Sequence, residues 1–284
     1  LRAVAHFAKS PTVADRELLL ACLKEDDFYA VRIDAATALG KTRKPDVKPA
    51  LLAGLTDAHA KVRRACVEAL GQFEDDAELA KSLESRYKKG DESYFVEAAL
   101  LEAITKISSK PPRTLLEAAL EKDSHRDAIR GKALMGLADC EDVEALGVLE
   151  TWTKRGHPYL SRMVAMNALA QSLKKHDFDK ARQTAAVELL ASYLKEPGPR
   201  IRRSAIAALS VVPLLAQNEK DRLANLSEHD ADPRVRTAAG NAVKKLEEAQ
   251  SPKELKKLQT DLEKLQEQYN KLKEQLDRLE TKAE

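Results

Sequence analysis

The chain has little of what most other fold classes require. Aromatics make up only 4% of its 284 residues, with one tryptophan and 10 glycines. Sandwiches and barrels use aromatic-rich strands and glycine turns, so this balance belongs to an all-helical protein, not to an all-β or α/β one. Cysteines number three, and Cys22, Cys66 and Cys140 are widely spaced in apolar surroundings. An odd, scattered set reads as reduced thiols acting as small hydrophobes, which suits a reducing, cytoplasmic compartment. Excess charge of either sign is also missing: Lys and Arg total 48 and Asp and Glu 46, a net +2. That gives no mandate for nucleic acid or an anionic membrane. There is no apolar run long enough to span a bilayer and no recognisable leader. The chain opens at Leu1 within a helix-like stretch, LRAVAHFA, and so reads as cut from a longer parent.

Catalytic signatures are absent as well. A zincin needs two histidines four apart on one helix face, with Glu after the first. His6, His59, His125, His157, His176 and His229 stand far apart, and none begins such a motif. No phosphate-binding glycine loop, CxxC pair or nucleophile elbow occurs. Carboxylate pairs such as Asp26-Asp27 and Glu247-Glu248 read as caps and solvated faces. Catalytic, cofactor-binding and metal-ligating residues are therefore all expected to be lacking in this segment.

What the chain does have is repetition. VRRACVEALG, from Val62 to Gly71, places apolar or small residues at offsets four, seven and eight from its lead valine. Those offsets fall on one side of a 3.6-residue helix. The pattern recurs from Val31, Val96, Ile129, Ser161, Ile201 and Val235, at intervals of 31, 34, 33, 32, 40 and 34 residues. Seven copies at a near-fixed period predict a solenoid, in which no unit folds alone and stacking neighbours make the core. A first helix precedes each copy: residues 15–25, 46–55, 76–90, 111–123, 142–156, 179–196 and 214–227. Asp26 and Asp27 mark the turn before the Val31 helix and are expected to satisfy amides at its start, and Asp57 and Asp91 mark the next two turns. Residues 1–9 resemble the second half of a further pair.

From Ser251 the character changes. Ser251-Pro252-Lys253-Glu254 is a capping box with Pro at the first helical position. Leu255, Leu258, Leu262, Leu265, Tyr269, Leu272, Leu276 and Leu279 then alternate at spacings of three and four, a heptad repeat. The reading is a solenoid over 1–250 and a coiled-coil tail over 251–284, with a homodimer or docking on the parent as the tail's uses.

The period also suits ankyrin and tetratricopeptide arrays, but their signature residues are missing. Asp followed six residues later by Arg within Val-Arg is present at Asp26/Arg32, Asp57/Arg63 and Asp230/Arg236. This resembles the short bacterial HEAT-like repeat, closest in DADPRVRTAAGNAV from Asp230 to Val243. The resemblance implies a right-handed stack of about seven helix pairs held by an Asp–Arg ladder. Glu97 stands where Arg is expected, and Gly156 and Glu196 where Asp is, so the ladder should be interrupted there.

A narrower resemblance covers the first hundred residues. DDFYAVRIDAATALGK, VRRACVEALGQFEDD and GDESYFVEAALLEAITK look like the C-terminal HEAT-like region of bacterial M1-family zinc aminopeptidases. It implies a non-catalytic accessory domain that shapes a peptide cavity, with the zinc domain upstream. The alternative is a free-standing HEAT scaffold that binds a protein or peptide on its concave face. DNA binding is a third reading, suggested by Arg32, Arg63, Arg130, Arg162, Arg202 and Arg236. Groove-facing positions supply Arg64, Lys132 and Arg203 against Asp34, Glu68 and Glu102, and this zero sum argues against phosphate tracking. Arg64, Lys132 and Arg203 are the candidate groove cations, able to hold a peptide carboxylate. Phe28-Tyr29, Tyr94-Phe95 and Tyr159 lie at turns, as recognition anchors or as plugs between repeats.

Overall fold

Each apolar stripe read from the sequence becomes a helix. The computed structural model describes residues 13–249 and 252–280, which hold fifteen α-helices and no strand. Seven pairs follow one another: α1 (Val13–Glu25) with α2 (Tyr29–Thr42), α3 (Lys48–Ala53) with α4 (Ala60–Leu70), and α5 (Ala77–Lys89) with α6 (Tyr94–Ile107). The series continues with α7 (Arg113–Leu120) and α8 (Ala128–Leu137), then α9 (Val143–Thr153) and α10 (Tyr159–Lys175). It ends with α11 (Lys180–Ser192) and α12 (Pro199–Leu209), α13 (Lys220–His229) and α14 (Pro233–Ala249), before the single α15 (Pro252–Glu280). The half-pair read over residues 1–9 lies outside the described residues.

Packing divides the chain into two compact units, Leu1–Phe178 and Asp179–Glu284. Within the first, the second helices α2, α4, α6, α8 and α10 pack on one another in order, and each first helix lies against its own partner. Within the second, α12 packs on α14 in the same way. The seams between neighbouring helices are built of small side chains. Ala35, Ala36, Ala69, Ala133, Ala165 and Ala205 are all buried. Gly40 shows how close the backbones come: a Cβ added there would lie 2.7 Å from the Ala69 Cα. The larger core side chains, among them Leu39, Leu70, Leu100, Leu134 and Leu169, fill the space on either side.

Local chemistry departs from expectation at the turn aspartates and at the seventh first helix. Asp76, Asp142 and Asp179 do cap α5, α9 and α11, accepting from the amides of Leu79, Ala145 and Arg182 at 3.0, 2.6 and 2.9 Å. The turn aspartates Asp26, Asp57, Asp91 and Asp230 do not cap helices. Each accepts from the amide two residues on, at 2.8, 2.7, 2.9 and 2.9 Å, which folds the loop ahead of the true helix start. The seventh first helix starts at Lys220, not near Leu214. Pro213 brings no amide, and the Val212 carbonyl is taken by the amides of Leu215 and Ala216, so tight turns replace the helix there. The 40-residue interval is filled by α10, 17 residues long, and by α11 with its 3-10 extension Tyr193–Lys195. Among the described residues no helix is long and apolar enough to cross a membrane.

Candidate interaction surface

The arginines at the second position of the repeat are held from two sides. Arg63 donates through Nη1 to the backbone carbonyl of Asp57, six residues earlier, at 2.9 Å. Its Nε and Nη2 edge grips both carboxylate oxygens of Asp91, 28 residues later, at 2.9 and 2.7 Å. Arg32 repeats this with the Asp26 carbonyl at 2.7 Å and the Asp57 carboxylate at 2.8 and 3.1 Å. Arg202 does the same with the Glu196 carbonyl at 2.8 Å and the Asp230 carboxylate at 2.7 Å on both arms. The expected Asp–Arg pairing six apart is therefore corrected: that contact is to the carbonyl, and the ion pair reaches the next turn along the stack. Geometry explains the choice, because the turn carboxylate is already folded back onto its own loop amide. Its free edge faces the preceding pair.

These pairs are sheltered from solvent. The Asp91 side chain is 1% exposed and takes a second cation, Arg86, at 2.5 Å. Burial alone would raise the Asp91 carboxyl, but the Arg63 bond, the Ser93 amide and nearby arginines outweigh it and hold it below the ordinary carboxylate range. Asp57 behaves likewise, burial being outweighed by Arg32 and the His59 amide. At Asp230 the Arg202 bond is the dominant influence, and it too lowers the carboxyl.

Where Glu97 replaces Arg, the ladder is inverted and continues. Buried Glu97 accepts from the Asp91 amide at 3.2 Å, and Lys122, 25 residues on, places its ammonium 3.2 Å from both carboxylate oxygens. Lys122 also lies over the Tyr87 ring, 4.4 Å from the centroid. The interruption expected at Gly156 is seen. Arg130 has no carboxylate at that turn and turns back to Asp123 and Asp127, at 2.6 and 3.0 Å, with its Nε on the Leu120 carbonyl. Arg162 is buried and donates to the Thr153 carbonyl at 2.9 Å. Sequence reasoning missed the inverted rung, yet its signal was there: the offset from Glu97 to Lys122 equals that from Arg32 to Asp57.

The turn rings divide their roles. Tyr29 stacks on His59 of the next pair, ring centroids 3.9 Å apart, and Tyr94 lies 6.1 Å from His125. These are plugs between repeats. Their neighbours Phe28 and Phe95 are 52% and 48% exposed, and Tyr159 and Leu160 on α10 are exposed as well. Trp152 is buried and stacks on His157 at 4.2 Å.

The groove cations are found in different settings. Arg64 donates to Glu68 at 2.7 Å and lies 5.7 Å from the Phe95 ring centroid. Lys132 reaches Glu102 at 2.5 Å, and Lys106 meets the same carboxylate at 2.9 Å. Burial opposes the Glu102 charge, and the two lysines outweigh it and keep its carboxyl low. Arg203 is exposed on α12 and belongs to the second unit, whereas Arg64 and Lys132 belong to the first. Among the described residues no group of three His, Cys, Asp or Glu could hold a metal ion. Burial pushes the Cys66 thiol up to about 12 and the Cys140 thiol up to about 11, so neither supplies a thiolate at neutral pH.

A family model described as HEAT repeats matches residues 16–105. Residues 16–105 carry HEAT repeats. Among solved structures, YibA of E. coli matches with a TM-score of 0.55 at 16% identity, over 86% of this chain and 96% of that one. The complex of CpcE and CpcF of phycocyanin lyase from Nostoc gives 0.46 at 19% identity, covering 86% and 88%. Human deoxyhypusine hydroxylase gives 0.38 at 20%, covering 87% and 89%. At 16% identity, the YibA match speaks for the fold alone. None of these three is an M1 aminopeptidase, so that resemblance stays confined to the sequence stretches that carry it. A comparison with curated proteins finds no match.

Proposed function

We propose that this HEAT-repeat array is a non-catalytic scaffold that binds a protein or peptide on the second-helix face of residues 1–178. The observation that carries the reading is the exposed apolar side chains at the starts of second helices in that unit: Phe28 ahead of α2, Phe95 on α6, and Tyr159 with Leu160 on α10. Aromatic anchors beside a guanidinium are typical of protein-binding hot spots, and Phe95 has Arg64 over its ring. The charges nearby are already balanced by Glu68 and Glu102. A phosphate backbone would need an unbalanced cation series, which favours a protein over nucleic acid. Arg64 and Lys132 would serve as rim cations that exchange an internal carboxylate for one on the partner. Arg203 could act in this way only within the second unit.

The role of accessory domain to an M1 aminopeptidase draws no support from fold or surface beyond the sequence stretches, and the scaffold reading does not depend on it. The test is site-specific photocrosslinking in the native host. A photoreactive residue at Phe95 or Tyr159 should trap one discrete protein adduct, and one at Lys81, exposed on α5, should not. Equal labelling from Lys81, or nucleic acid recovered from Phe95, would overturn the proposal.

A further inference from the structure

We propose that α15 pairs with α15 of a second copy of this chain, making the scaffold two-headed. This stands apart from the groove reading and rests on the tail alone. Leu258, Leu262, Leu265, Tyr269 and Leu272 occupy successive seam positions of the heptad, and they are 56%, 60%, 68%, 65% and 65% exposed. A leucine stripe this open on a single 29-residue helix is unfinished, since an isolated helix gains its stability by covering such a face.

Area and charge select the occupant. The five positions offer roughly 600 Å² per chain, so two copies would bury about 1,200 Å², the lower bound of a specific interface. In the sequence, Leu255, Leu276 and Leu279 continue the same spacing at either end. The flanking heptad positions carry Asp261, Gln266, Gln268 and Lys273. Two identical helices side by side and in register set Asp261 against Gln266 and Gln268 against Lys273, with no like charges facing. A different partner would be selected by a run of charge of one sign, and this flank carries only one acid, Asp261, and one base, Lys273. Lys and Arg total eight over residues 251–284, as do Asp and Glu, so the tail does not repel its own copy. Joining two arrays would give a ligand with two sites an effective-concentration gain that neither array has alone.

The experiment uses the full chain. Sedimentation equilibrium should give twice the chain mass, and Leu262→Lys with Leu272→Lys should restore the single mass while the solenoid melts as before. In case the lysine variant unfolds the helix, a second readout keeps the parent seam. A Leu265→Cys chain, alone or mixed with a Tyr269→Cys chain, should give disulfide-linked pairs on mild oxidation, above the background of the parent. Cys66 and Cys140 are buried and Cys22 is half-buried, so the parent chain, oxidised alongside, sets that background. A parent that sediments at the single mass at every concentration would overturn the proposal. So would a doubled mass that survives both lysines, or cysteine chains that never cross-link.

Discussion

The contact that joins the second helix pair to the third and the one that joins the third to the fourth sit in equivalent places with opposite charge order. In the first, Arg63 on α4 reaches Asp91, a carboxylate 1% exposed and held by two guanidinium groups. In the second, Glu97 on α6 receives Lys122, whose side chain is 40% exposed. One contact is bidentate and dry, the other a point charge at the solvent edge. The difference teaches that these two junctions keep complementarity, not a particular residue, and that the energy at stake follows burial. A buried pair broken on one side leaves a charge with nowhere to go, whereas an exposed one is rehydrated.

The largest effect should come from breaking the dry contact. Asp91→Ala strands Arg63 and Arg86 together and should cost about 3–5 kcal/mol of unfolding free energy in urea titration. Lys122→Ala, the matching cut in the inverted contact, leaves Glu97 only the Asp91 amide and should cost less, about 1–3 kcal/mol. Equal losses would remove burial as the deciding variable.

A smaller effect tests whether the helices, and not only the ion pairs, set the junction. Gly40→Ala drives a methyl against the Ala69 backbone and should cost about 1–3 kcal/mol. The same measurement on Gly198→Ala should show little change, because a Cβ there meets nothing within 4 Å.

Smaller still is the acid response. Asp57, Asp91 and Asp230 are held below the ordinary carboxylate range, so their folded-state pKa values lie under their unfolded ones. Their stabilisation is complete above the unfolded value near 4 and is lost as pH falls through the lower folded value. Thermal stability should therefore hold from neutral pH down to about pH 5 and decline in stronger acid. Asp91→Asn should flatten that decline. A chain that instead loses stability between pH 6 and 8 would point to histidine, not to these aspartates.

Much of the fold was legible because one period carried it. Leads such as Val62, Val96, Ile129 and Val235 are all buried as the 3.6-residue spacing requires. The ladder was legible in residue type but not in partner. Asp57 lies six residues before Arg63 and Asp91 lies 28 after, and sequence proximity favours the wrong one. Only the loop geometry decides, since Asp57 is already bound to the His59 amide and to Arg32. The turn rings were left as anchors or plugs, and the answer is one of each: Tyr29 stacks inward while Phe28 faces solvent. Adjacent residues at a helix start diverge by about 100° around the axis, so a pattern of ring pairs cannot say which ring is buried.

The central claim is that Arg32, Arg63 and Arg202 are committed to the next turn and are not free for a ligand. Two double-mutant cycles by equilibrium urea unfolding test it, Arg63→Ala with Asp91→Asn and Arg63→Ala with Asp57→Asn. The account predicts a coupling of about 2 kcal/mol in the first and less than about 0.5 kcal/mol in the second, where Arg63 meets only the backbone carbonyl. Coupling as large with Asp57 as with Asp91 would contradict the ladder. Coupling with neither would return Arg63 to the surface as a ligand contact.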